Sequence, residues 1–240
     1  MAIIGNNAGE QQKLQKYLSQ EFEMKDLGAL KFFLGIEVAR SKTGIFLSQR
    51  KYVMDLLTEI GMLGCKPADT PIKMNHKLCE DMDLFPTNKE QYQRLVGRLI
   101  YLAHIRPDIA YAVSVVSQFM LSPSVSHRNV VDRILRYLKL ASGEGLMFSK
   151  NGNLEVVGYT DVDWAGSITN RCSTLGYFTF VGGNLVIGWS KKQNVVARSS
   201  AEVEYRGMAQ GVCELLWIRG LLTELGFKLV KPIELHCDNK

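Results

Sequence analysis

The stretch that most constrains this chain is Leu154 to Gly166, LEVVGYTDVDWAG, in which a β-branched apolar run gives way to two acids and a turn. Val156, Val157 and Tyr159 read as a buried strand, Asp161 and Asp163 follow at its carboxyl end, and Ala165 and Gly166 close the turn. In open mixed α/β sheets, sites gather outside the carboxyl ends of strands, and side chains two positions apart share a face. Acids at a strand end are also ordinary turn chemistry, so the pair alone leaves both readings open.

Two later segments bring further acids. Arg198 to Met208, RSSAEVEYRGM, opens a helix expected to run through Cys213, Leu216, Trp217, Leu221 and Leu222 to a stop at Gly226, capped by Ser199 or Ser200. Glu204 lies in its first turns. Ile233 to Asp238, IELHCD, reads as a short apolar strand that again ends in an acid. If the two strands are parallel neighbours, Asp161, Glu204 and Asp238 share one sheet edge. Carboxylates gathered in this way repel one another, and a hard divalent cation between them stabilises the cluster. His236 is expected to point away from that edge, and Trp164, Trp189 and Trp217 are expected in the core.

GYTDVDWAG, NRCSTLGYFTF, WSKKQNVVARSSAEVEY and LHCDNK, in that order, resemble the RNase H domain of the Pol polyprotein of copia-type LTR retrotransposons. The resemblance implies a mixed α/β RNase H-like sheet that cuts the RNA strand of an RNA/DNA hybrid. Two Mg2+ or Mn2+ ions do this work in the family, one activating water and the other stabilising the leaving oxygen. Position by position, the resemblance makes Asp161 the first metal carboxylate, Glu204 the second and Asp238 the third, and sets aside Asp163 and Glu202. It also places a fourth carboxylate, a helix and a strand beyond Lys240, so a truncated domain with an impaired metal site is expected. Two positions depart from the pattern. The Trp before Ser190-Lys191-Lys192-Gln193 stands one place from the family's, which reads as drift, and Gly207 interrupts a helix at about 1 kcal/mol against Ala.

In the amino-terminal part, MAIIGNN reads as a strand, and Glu10 to Phe22 as a helix that packs Leu14, Leu18 and Phe22 onto a sheet. After a turn at Asp26-Leu27-Gly28, a strand over Leu30 to Ala39 pairs with Ile45 to Ser48, and a short helix runs from Tyr52 to Ile60. MAIIGNN, DLGALKFFLGIEV, GIFLSQRKYV and KPADTPI resemble the end of a copia-type reverse transcriptase palm and the start of its thumb. The family's Tyr-Val-Asp-Asp hairpin then falls immediately upstream of Met1, so a polymerase-dead fragment is expected. Asp26 and Glu37 read as structural.

Lys66 to Phe85 reads as a linker, followed by helices over Asn88 to Ile105, Asp108 to Met120 and a third capped by Ser126. LVGRLIYLAHIRPDIAYAV and ILRYLKLASGEGL again resemble the family's segment between polymerase and RNase H. The expected division is therefore 1–65, 66–150 and 151–240, an α+β chain throughout.

A net charge of +5 permits a nucleic-acid partner without demanding one. Arg128, Arg133, Arg136 and Lys139 form a basic helix face, and Lys191 and Lys192 precede the last helix; each group either follows a phosphate backbone or is a solvated face. Five cysteines without a CxxC spacing point to a reducing compartment and away from zinc. No leader or membrane-length apolar run is read, so the expectation is an intracellular, cytoplasmic or nuclear chain. The partners implied are an RNA/DNA hybrid or other nucleic acid and the rest of a Pol polyprotein. The alternative is a non-catalytic nucleic-acid or protein binding module derived from the element.

Overall fold

The computed structural model describes residues 7–23, 25, 28–74, 76, 78–79, 85–167 and 169–238. The expected strand at MAIIGNN and the turn at Asp26 and Leu27 fall largely outside them. Helix α1 (Ala8–Glu21) is capped by Asn7, whose Oδ1 accepts the Gly9 and Glu10 N–H groups, yet none of its residues is buried. Leu14 is 45% exposed and Phe22 62%: a stripe with one apolar side chain per turn is too narrow to hold the helix on a sheet, contrary to the sequence expectation.

The strand expected over Leu30 to Ala39 is two strands, β1 (Phe32–Phe33) and β2 (Ile36–Arg40). Leu34 and Gly35 take φ of 50° and 80°, which folds the run back on itself, and the Tyr101 hydroxyl donates to the Leu34 carbonyl to hold the turn. Strand β3 (Gly44–Ser48) pairs with β2 in the expected hairpin, and β4 (Gly145–Ser149), which the sequence does not announce, pairs with β3. The first sheet is thus antiparallel in the order β1-β2-β3-β4.

Between β3 and β4 run α2 (Arg50–Glu59), α3 (Lys89–Ala103), a 3₁₀ turn (Pro107–Ile109), α4 (Ala110–Ser117) and α5 (Val125–Leu140). Their facing stripes make the main core, with Leu56, Leu57, Tyr92, Leu95, Leu99, Ile134, Leu135 and Leu138 all at most 2% exposed. Tyr92 is tolerated there because its hydroxyl donates to the Val116 carbonyl at 2.7 Å. The cap of α5 is Ser124 rather than Ser126: its Oγ accepts the His127 N–H, while His127 Nδ1 accepts the Ser124 N–H at 3.0 Å. His127 thus replaces the usual Glu or Gln of a capping box, and its ring stacks on Phe119 at 3.8 Å. Ser124→Ala is expected to cost about 1 kcal/mol, read as a lower urea midpoint at unchanged slope.

The second sheet holds β5 (Val156–Asp163), β6 (Thr174–Val181), β7 (Asn184–Lys192) and β8 (Glu234–Cys237) in the order β7-β6-β5-β8. Strands β5, β6 and β7 are antiparallel, while β8 lies parallel to β5 after the crossover helix α6 (Ser200–Glu224). The parallel neighbours that the sequence argument required are therefore present. Strand β7 carries a register shift opposite Thr179 and Phe180, beyond which Trp189 lies across from Tyr177 with the rings 4.6 Å apart. The core expectation fails for two tryptophans, Trp164 being 55% exposed and Trp217 59%. Both lie on surfaces that no described element covers, a placement their hydrophobicity alone does not reveal. No helix among the described residues is long and apolar enough to cross a membrane.

Candidate functional site

Helix α6 lies along β5 through three close approaches. A Cβ on Gly207 would stand 2.6 Å from Val162 Cγ2, one on Gly211 2.8 Å from Thr160 Cγ2, and one on Gly158 3.0 Å from Leu215 Cδ1. Four helical residues advance about 6 Å and two strand residues about 6.6 Å, so the contacts 207/162, 211/160 and 215/158 stay in step as helix and strand run in opposite senses. The amino end of α6 is thereby delivered to the carboxyl ends of β5 and β8. Gly207, which the sequence shows only as a helix-weakening residue, is the position that lets the helix approach. Gly207→Ala gains about 1 kcal/mol of helix propensity but meets the stiff Val162 methyl, and overpacking of about 1–3 kcal/mol outweighs it. A lowered melting temperature checks the sign.

Strands β5 and β8 pair through Thr160 and Cys237, with Thr160 Oγ1 donating to Cys237 Sγ at 3.2 Å, so the next residues, Asp161 and Asp238, stand side by side. With Glu204 from α6 they line one cavity of about 90 Å3, closed by Thr160, Val162 and Cys237. Asp161 and Asp238 are exposed and Glu204 is half-buried. Glu204 Oε2 is shielded from solvent and has no hydrogen-bond partner among the described residues. Among the described residues no three His, Cys, Asp or Glu side chains converge closely enough to hold an ion as they stand.

The acids that were set aside have other partners. Glu202 accepts the Arg198 N–H at 2.8 Å and the Arg206 guanidinium at 2.9 Å, while Ser199 Oγ accepts the Glu202 N–H as the N-cap of α6. The Arg198 N–H and then Arg206 hold the Glu202 carboxyl below its ordinary value. Asp163 accepts the Thr174 N–H across to β6, and burial, joined by the Asp161 charge, raises its carboxyl against that bond. His236 lies outside the carboxylate cavity, as expected, with its ring stacked on Tyr159 at 5.0 Å.

The basic face of α5 is engaged within the chain. Arg128 binds Asp132 and Gln91, Arg133 binds Thr70 Oγ1 at 2.7 Å, and Lys139 donates to the Cys65 carbonyl at 2.6 Å, so these side chains fasten α3 and the 65–70 segment. Lys192 likewise donates to Gln118 and Ser167. All five cysteines are free thiols.

Residues 1–74 match the family described as reverse transcriptase (RNA-dependent DNA polymerase). Across 99% of its length the chain is 43% identical to the retrovirus-related Pol polyprotein from transposon RE1 of Arabidopsis thaliana, and across all of it 40% identical to that from transposon TNT 1-94 of Nicotiana tabacum. It spans only 16% and 19% of those polyproteins. An uncharacterised mitochondrial protein of Arabidopsis thaliana is 42% identical over 83% of both chains. No solved structure matches the chain.

Proposed function

The chain belongs to the retrovirus-related Pol polyproteins of copia-type transposons, as a reverse transcriptase-like fragment, and from that premise we propose that its carboxylate edge hydrolyses the RNA strand of an RNA/DNA hybrid with Mg2+ or Mn2+. On this reading the second sheet with α6 is an RNase H-like unit, and residues before it form reverse transcriptase palm, thumb and connecting helices. The observation that carries the proposal is that Glu204, whose Oε2 has no partner among the described residues, lines one cavity with Asp161 and Asp238. A buried carboxylate oxygen without a donor is costly, and an all-oxygen set of three acids suits a hard divalent cation. Cys237, the one soft atom nearby, is already bonded to Thr160.

A bound cation would supply charge stabilisation and an activated water. The protein's part is positional. Asp161 and Asp238 project from adjacent parallel strands, fixed by the Thr160 and Cys237 pairing, and Glu204 enters from the helix that Gly207 and Gly211 bring close. Hybrid with end-labelled RNA, incubated with Mg2+ or Mn2+, is expected to yield shortened RNA, and none with chelator. Intact RNA under both cations, together with no rise in melting temperature on cation addition, would overturn the proposal.

A further inference from the structure

A second cavity, of about 230 Å3, lies between the end of β7, with the residues that follow it, and the early turns of α6. Its lining is cationic: Lys191, Lys192 and Arg206 contribute to it, with amides from Asn194 and Gln210, and no Asp or Glu is among the described residues that line it. Two of the three charges are already engaged. Arg206 shares its guanidinium with Glu202 at 2.9 Å, and Lys192 Nζ donates to the neutral side-chain oxygens of Gln118 and Ser167. Lys191 is different. It is exposed, makes no ion pair among the described residues, and its Nζ lies 5.8 Å from the centroid of the Trp189 ring, which also lines the space. An aromatic face holds an ammonium without cancelling its charge. With Glu202 counted, and also Glu214, which accepts the Gln210 amide at 3.4 Å, three cations still outnumber two acids.

Strand register fixes where this charge stands. Leu175 of β6 pairs with Val162 on one side and with Lys191 on the other, so Lys191 is two strands across from the residue after Asp161. At about 4.8 Å per strand the separation is roughly 10 Å, at the same end of the sheet. Each strand of a nucleic-acid duplex carries a phosphate about every 3.4 Å along its axis, so a duplex with one linkage at the carboxylate edge has others within reach of the cavity. The lining charge repels a metal ion, and an apolar ligand leaves it unanswered. An anion with several acceptor oxygens meets both the cations and the amide donors.

We propose that this cavity takes one backbone phosphodiester of an RNA/DNA hybrid, with Lys191 as the principal contact and Arg206 as the second. The proposal rests on the nucleic-acid reading above and adds the residues that seat the duplex beside the carboxylate edge. Binding of end-labelled hybrid to the full chain, followed by fluorescence anisotropy in chelator over roughly 50 to 200 mM salt, tests it without cleavage. Each phosphate contact contributes about 0.9 to the slope of log affinity against log salt, so Lys191→Gln is expected to weaken binding and to flatten the slope by about that amount. Arg206→Gln should flatten it by less, because Glu202 shares that charge, and Lys228→Gln, an exposed lysine outside the cavity, should leave it unchanged. Neutral methylphosphonate linkages in the RNA strand or in the DNA strand distinguish the two sources: in one of them the parent and Lys191→Gln are expected to bind alike. No hybrid binding, a Lys191→Gln slope equal to the parent's, or an equal loss in Lys228→Gln overturns the proposal. Because no divalent cation is present, binding that depends on Lys191 without hybrid cleavage would remove only the catalytic reading, and cleavage with an unchanged Lys191→Gln slope only this one.

Discussion

Asp108→Ala is expected to lower stability by about 3–5 kcal/mol, measured as the urea unfolding free energy of the purified chain. Arg106 is only 2% exposed, the largest fully buried side chain among the described residues. Its Nε and Nη2 donate to the two Asp108 oxygens at 2.9 and 2.6 Å, and its Nη1 donates to the Ala141 carbonyl at 2.7 Å. One guanidinium thus ties the joint between α3 and α4 to the end of α5. Truncating Asp108 leaves that charge buried and half satisfied, the costly way to break such a pair, although the third of Asp108 that is exposed pulls the figure toward its lower end. The double variant Arg106→Met with Asp108→Leu removes both charges and is expected to recover much of the loss. Burial alone would raise the Asp108 carboxyl; the Arg106 hydrogen bonds and charge, with the Tyr137 hydroxyl, overcome it and hold the carboxyl below its ordinary value. A depressed folded pKa contributes stability that is complete above the unfolded value of about 3.9 and is lost as pH falls through the folded one. Acid unfolding of the parent should therefore steepen below the ordinary carboxylate range, and that part of the slope should vanish in Asp108→Ala.

What the sequence made legible is what local pattern determines. The strand at Val156, the helix after Ser199 and the strand before Asp238 each have period, caps and stops of their own, and their order placed three acids at one edge. The cap of α5 was misread because a buried His does the work of Glu, and residue type alone does not show that a ring nitrogen lies within reach of a backbone N–H. The run through Phe32 and Phe33 looked continuous because only a positive φ at Leu34 divides it, and Leu is a poor signal for that. Gly207 was illegible for a different reason. A helix glycine weakens the helix by propensity and permits close packing by geometry, and only the neighbour's position tells which matters.

Asp161→Asn is expected to reduce hybrid cleavage about 10²–10³-fold, with stability nearly unchanged because Asp161 is exposed and makes no side-chain hydrogen bond among the described residues. Asn keeps the volume and one oxygen but removes the charge that, on the proposed reading, would attract a divalent cation beside Asp238, so the cation-induced rise in melting temperature should shrink with the rate. Glu204→Gln should act likewise, and even raise stability slightly in the absence of cation, because the orphaned Oε2 becomes a neutral amide atom. Glu202→Gln is the discriminating control. It is two residues away on the same helix, yet its carboxylate is held by Arg198 and Arg206, so its loss should cost a fraction of the helix cap and leave cleavage intact. Equal damage from Glu202 and Glu204 would mean that α6 contributes only its fold, whereas damage confined to Asp161, Glu204 and Asp238, together with loss of the cation-induced rise in melting temperature, is the result expected of three side chains that hold one ion.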